Sequence, residues 1–157
     1  MPDTAITEVG QLVESASLLT IEVFRLGAER KLDAQPSDEG VEIAPKYTLD
    51  IDVRDDRSGF RIRLMTEINT PFGDIECGAY AEYEHPGVVL GEESSAAASE
   101  FVNNVALMHL LPFVRQSIAD ITQRVFTAPL LMPIIQRGEL EFELEIRSPG
   151  SRVDHDS

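Results

Sequence analysis

Residues 94–135 read SSAAASEFVNNVALMHLLPFVRQSIADITQRVFTAPLLMPII, and the fold turns on how this stretch is read. Phe101, Val105, Met108, Phe113, Val114, Ile118, Ile121 and Val125 recur at helical spacing and define one broad apolar face. Ser94 or Ser95 is a candidate N-cap, with Glu92 and Glu93 at the positive end of the helix dipole. Pro112 lacks an amide and would crowd the carbonyl of Met108, so the spacing predicts a kink or restart there. Leu107, Leu110 and Leu111 carry apolar character around the first half, which calls for burial on more than one side, by a second subunit or by the run that follows. That run, 126–135, contains Pro129 and Pro133 and suits neither a regular helix nor a central strand. It must lie extended across something apolar. Leu130, Leu131, Met132, Ile134 and Ile135 then either close the core or form an adaptable binding surface, a use to which Met is suited.

A single long helix needs a sheet to cover, and the preceding sequence supplies one. SLLTIEVFRL is rich in β-branched and aromatic residues and predicts a strand over 18–26. Leu19, Ile21 and Val23 face one way, while Leu18 and Phe24 make the other face partly apolar. Two sticky faces indicate a strand covered on both sides or set at an interface. Residues 28–45 are charged, with Gly40, Pro36 and Pro45, and read as a long connection with Leu32, Val41 and Ile43 as its apolar anchors. Three further strands form a meander. Tyr47, Leu49, Ile51 and Val53 make the first inward set, Phe60, Ile62, Leu64 and Ile68 the second, and Ile75, Cys77, Ala79, Ala81 and Tyr83 the third. The intervening turns, 55–59 and 69–74, carry the Gly and Pro that reversals need. The expected class is therefore α+β: a four-stranded antiparallel sheet with a long proline-interrupted helix on one face. Residues 138–147, GELEFELEIR, alternate as an extra C-terminal strand would, with four glutamates on the face away from Leu140, Phe142, Leu144 and Ile146. Ile6, Val9, Leu12 and Val13 suggest a short helix within an N-terminal extension over 1–16, a reading that Gly10 weakens, and 147–157 reads as a disordered tail.

The totals narrow the function. The chain has 157 residues, enough for one domain with a sizeable core. Its 13 basic and 28 acidic residues give a net charge of −15. That sign disfavours nucleic acid and anionic membrane surfaces as partners. The longest uncharged run, Phe101 to Val114, is too short to span a bilayer, which needs roughly 20 residues. The N-terminus has no basic segment ahead of an apolar core, and Cys77 is the single cysteine, so a reducing, cytoplasmic setting is expected. Catalytic patterns are missing. His85, His109 and His155 are scattered with no partner at metal-ligand spacing, and Asp50, Asp52, Asp55 and Asp56 fail the calcium-loop pattern at Arg54. No catalytic or metal residue and no cofactor is therefore assigned. The competing class is a small-molecule enzyme or binder on a curved sheet, with Asp120 or Glu82 as base.

The order of parts resembles the SecB export-chaperone family: a covered first strand, a long crossover, a three-strand meander, a proline-interrupted helix and an apolar Pro-containing run. The match rests most on 110–134, where Leu111, Pro112, Phe113, Arg115, Ile118, Pro129 and Leu130 sit where the family pattern wants them, and on Cys77 in the third meander strand. The resemblance implies a chaperone domain over 17–146 that holds non-native polypeptides without ATP. It implies a dimer of dimers, with Leu19, Ile21, Val23, Leu107, Leu110 and Leu111 at subunit contacts. It implies client-binding grooves lined by Leu32, Val41, Ile43, Tyr47, Leu130, Leu131, Met132 and Ile134. The export motor SecA, or an antitoxin in the specialised toxin–antitoxin–chaperone branch, is the further partner implied. Three features depart from the family pattern: a crossover poor in aromatics, Gly78 where a docking glutamate follows the cysteine, and strand-like alternation where a C-terminal helix is usual.

Overall fold

The computed structural model describes residues 4–33, 44–132, 135 and 139–142. Val41, Ile43, Ile134 and the 147–157 tail lie outside the described residues. The elements run β1 (Thr4–Ala5), α1 (Val9–Ser15), β2 (Ser17–Arg30), β3 (Lys46–Val53), β4 (Gly59–Thr70), β5 (Gly73–Glu84), β6 (Val88–Val89), a 3₁₀ turn (Glu92–Ser94), α2 (Ser95–Phe101), a π turn (Val102–Ala106) and α3 (Leu107–Val125). The main sheet has the order β2-β5-β4-β3, antiparallel throughout. This is the expected four-stranded sheet with the long helix packed across one face.

The meander follows its alternation. Phe60, Ile62, Leu64 and Ile68 of β4 and Ile75, Cys77, Ala79, Ala81 and Tyr83 of β5 are buried, while Arg61, Glu67 and Asp74 are exposed. Cross-strand rows place side chains of one face together, so Leu64 lies opposite Ala79 and Ile62 opposite Ala81. The two alanines leave room for the helix, whose Leu107, Leu110, Val114 and Ile118 are fully buried in the same core. Each such leucine contributes about 1.5–3 kcal/mol through the apolar surface it removes from water.

β2 is longer than the 18–26 predicted, and its alternation is broken. Register shifts fall between Leu18 and Thr20 and between Val23 and Arg25. These bulges re-phase the strand. Leu18, Ile21, Val23 and Leu26 therefore all lie opposite core-facing residues of β5 (Tyr83, Ala81, Ala79 and Cys77), and Leu19 and Phe24 are the bulge residues.

The helix differs from expectation at its irregularity. α3 passes through Pro112 without a restart, and the wide turn comes earlier, at Val102–Ala106. Pro112 is on the exposed side, where water can satisfy the Met108 carbonyl that proline leaves unbonded. The N-terminal segment, expected as an extension, is part of the core. Ile6 and Leu12 are fully buried, and α1 packs on α2. β1 pairs in parallel with β6, and the Ser94 hydroxyl donates to the Ile6 carbonyl while accepting from the Gly91 amide at 3.0 Å. Gln11 Oε1 reaches back to accept from the Thr7 and Glu8 amides at 2.8 and 3.0 Å, which satisfies the open start of α1.

Candidate polypeptide-binding surface

Besides Val13 on α1 and Phe113 on α3, the large apolar residues left exposed form two groups, those of β2 and two leucines in the segments that follow β2 and α3. The first is β2, where Leu18, Leu19, Val23, Phe24 and Leu26 are all more than a third exposed at a sheet edge. Ile21 is half-buried and packs on the core. The second is a pair of leucines, Leu32 just after β2 and Leu131 in the run after α3, which are 90% and 71% exposed. The β4–β5 turn touches both the end of β2 and the end of α3. The Lys31 amide donates to the Phe72 carbonyl at 2.7 Å and the Lys31 ammonium to the Thr70 carbonyl at 3.0 Å. Gly73 lies so close to the Phe126 ring that a Cβ there would stand 2.8 Å from it. The start of the crossover and the end of α3 therefore meet at one corner.

From that corner the apolar run turns back along the helix. Thr127 takes a left-handed φ of 65°, a conformation that a β-branched residue rarely adopts. The Leu130 amide then donates to Thr122 Oγ1 at 2.7 Å, and Arg115 Nε donates to the Met132 carbonyl at 3.3 Å. Further along, Asn103 donates to the Phe142 carbonyl at 2.8 Å and accepts from the Phe142 amide at 2.7 Å. The residues holding this run are thus spaced back along the helix from Thr122 to Asn103.

The structure sorts the residues singled out from sequence. Leu32 and Leu131 are open, Leu130 and Tyr47 half-buried, and Met132 only 2% exposed. Met132 is therefore a core residue and not a client contact: the Arg115 bond draws the run inward at that point. Leu107, Leu110 and Leu111 are buried within the protomer and have no surface to offer a second copy. Their apolar breadth is met by the chain's own sheet and returning run. The described part of the C-terminal stretch, 139–142, alternates exposed and half-buried as expected but joins no strand ladder, because the Phe142 backbone is bonded to Asn103.

The polar candidates are accounted for as well. Burial pushes the Cys77 thiol up to about 11, so it is no nucleophile at neutral pH. His109 shares a hydrogen bond of 2.8 Å between its Nδ1 and the Tyr83 hydroxyl, inside an aromatic group with Phe60 and Phe101. Asp120 is exposed and accepts from Gln116 at 2.9 Å, and Glu82 is paired with Arg61 on the outer face of the sheet. Neither faces an enclosed cavity that would suit a catalytic base. Among the described residues, no group of three or more His, Cys, Asp or Glu could hold a metal ion, and no helix is long and apolar enough to cross a membrane. Sequence reasoning missed Asn103 altogether; an asparagine on a helix carries no pattern until its partner segment is placed.

No protein-family model and no curated protein matches the chain. Solved structures do. The SecB-like chaperone Rv1957 of Mycobacterium tuberculosis, in complex with a ChAD peptide from the Rv1956 HigA1 antitoxin, superposes with a TM-score of 0.68. It is 17% identical, and the match covers 82% of this chain and 96% of that one. A protein of unknown function from Streptococcus agalactiae superposes with a TM-score of 0.50 at 14% identity, over 76% of this chain and 97% of that one. The chain has the SecB-like fold that the order of its elements and residues 110–134 suggested.

Proposed function

We propose that this protein is an ATP-independent chaperone that holds exposed apolar segments of non-native polypeptides. The carrying observation is the combination of a SecB-like fold with large apolar side chains left open along β2 and at Leu32 and Leu131. Isolated exposed leucines need no explanation, but open apolar residues on a long edge strand and beside a run of apolar chain support binding of other chains. Leu19, Ile21 and Val23 are assigned to pairing between copies, with a tetramer as the assembly and the cytoplasm as the setting. Leu32, Tyr47, Leu130 and Leu131 are assigned to clients. The high negative charge keeps such a sticky protein soluble.

A dedicated antitoxin client is favoured over export. The Mycobacterium tuberculosis relative in fold was solved with an antitoxin peptide. In addition, the family resemblance implies a docking glutamate after the strand cysteine, and here Gly78 lies beneath Met65 and the Phe24 ring, so that even a Cβ would stand 2.6 and 2.7 Å from them. A dedicated chaperone will hold its one peptide far more tightly than it holds a panel of unrelated denatured proteins, whose aggregation it still slows when in excess.

Suppression of aggregation of a denatured model protein tests the main reading. Leu32→Asp with Leu131→Asp changes two exposed residues and spares the fold. Suppression should fall about tenfold, as for loss of central contacts in an interface. Full suppression by a folded variant of unchanged mass sinks the surface assignment.

A further inference from the structure

Asn103 makes an unusual contact. Its side-chain amide donates to the carbonyl and accepts from the amide of the same residue, Phe142, at 2.8 and 2.7 Å. A neighbouring β-strand offers an extended residue this same pair of bonds, and the pair reads backbone without regard to side chain. Asn103 occupies the π turn at Val102–Ala106, and such turns are frequent at functional sites. Around Phe142 the chain is laid out as a peptide ligand would be. Glu139 and Glu141 are exposed, while Leu140 and Phe142 are half-buried and pack against the core. Among the described residues, the hydrogen bonds of the segment from Glu139 to Phe142 are those to Asn103.

We propose that Asn103 is a backbone clamp for extended polypeptide, and that the chain's own Leu140–Phe142 segment is its resident occupant. An incoming client displaces Leu140 and Phe142 and takes over the two Asn103 hydrogen bonds. The clients selected are extended segments with apolar residues two positions apart, an aromatic among them, in the pattern of Leu140-Glu141-Phe142. The apparent affinity for a client is lowered by the fraction of molecules in which the resident segment is in place. This inference rests on the polypeptide-binding reading given above, and adds to it the shape of the ligand and a built-in competitor.

A fluorescein-labelled peptide of the sequence GELEFELEIR, residues 138–147, is the probe. It is titrated against the full chain and against the full chain carrying Leu140→Ala and Phe142→Ala. The substituted chain should bind the probe about tenfold more tightly, since its resident segment no longer competes. Adding Asn103→Leu to that background should reverse the gain by a similar factor. Should Asn103→Leu fail to fold, Asn103→Asp keeps the shape but sets a carboxylate against the client carbonyl, and the same loss is expected. Equal probe affinity for the native and the Leu140→Ala, Phe142→Ala chains overturns the competitor. Unchanged affinity on substitution of Asn103 overturns the clamp. Aggregation suppression is read in the same samples. If the native chain suppresses aggregation while either result above is negative, this inference fails and the chaperone reading stands; if no chain binds the probe or suppresses aggregation, both fail.

Discussion

Along β2, at one edge of the sheet, the exposed side chains include Leu18, Leu19, Val23, Phe24 and Leu26; along β3, at the other edge, they are Lys46, Thr48, Asp50 and Asp52. Both strands present unpaired backbone amides and carbonyls on one side. β3 is eight residues long and carries charge, with Asp52 paired to Arg63 at 3.1 Å, so a chain that approached it would have to desolvate carboxylates. β2 is 14 residues long and mixes those five apolar side chains with exposed Ser17, Glu22, Arg25, Glu29 and Arg30. Two of its charged side chains are engaged by β5: Arg25 bonds Glu76 at 3.1 Å, and Glu22 accepts from the Tyr80 hydroxyl. Among exposed positions β3 carries no large apolar side chain, whereas β2 carries five. An apolar edge would be an aggregation hazard on a monomer, so its persistence supports its assignment to pairing between copies.

The contrast can be broken most directly by moving charge between the edges. Leu19→Lys with Val23→Lys should weaken self-association by at least about 100-fold, while Thr48→Lys on β3 should leave it unchanged. Sedimentation over a concentration series measures both, and equal effects at the two edges would remove the distinction. The next largest effect concerns how β2 is anchored. A Cβ on Gly73 would stand 2.2 Å from the Glu29 carbonyl oxygen and 2.8 Å from the Phe126 ring, where backbone cannot yield. Gly73→Ala should therefore cost about 2 kcal/mol in denaturant unfolding. Gly78→Ala should cost clearly less, because its neighbours are the mobile ends of Phe24 and Met65.

The smallest effect separates the sheet interior from its open edge by pH. His85 is fully buried, with Nδ1 donating to the Val88 carbonyl at 3.0 Å and Nε2 unpartnered among the described residues. Burial, aided by nearby Arg54 and opposed by Asp56 and by the backbone bonds, holds its pKa below the ordinary value. The unfolded chain thus takes up a proton at higher pH than the native one. The stabilisation is complete above the ordinary histidine value of about 6.5 and is lost as pH falls below it. The melting temperature should drop between pH 7.5 and 5.5, and His85→Gln should flatten that slope. Association through β2 should stay constant over the same range, since β2 carries no histidine.

The meander was legible because its strands obey a period of two and its turns carry their own residues; Phe60 through Tyr83 could be assigned to the core without a partner in view. β2 was legible as a sticky strand but not in its facing, because two bulges re-phase it and no residue there announces a bulge. The breadth of the apolar surface on the helix was read correctly, yet its cover was open between a second copy and the chain itself. Leu107, Leu110 and Leu111 turned out to be covered from within. Met132 was misplaced for a related reason: which residue of LLMPII points inward depends on Arg115, 17 positions away. At the candidate site, Leu32 and Leu131 were found by their apolar character. Asn103 was not, since its significance lies wholly in a contact 39 residues distant.

The stitch between the two ends of the fold has a consequence for the order of events during synthesis. Residues 4–6 are made well before their partners, Val88, Val89 and the Ser94 hydroxyl, which follow more than eighty residues later, with Ser94 lying 88 positions beyond Ile6. Closure over so long a loop is slow. The nascent chain therefore waits through the synthesis of the whole sheet before β1 can be stitched to β6, with the apolar edge of β2 open meanwhile.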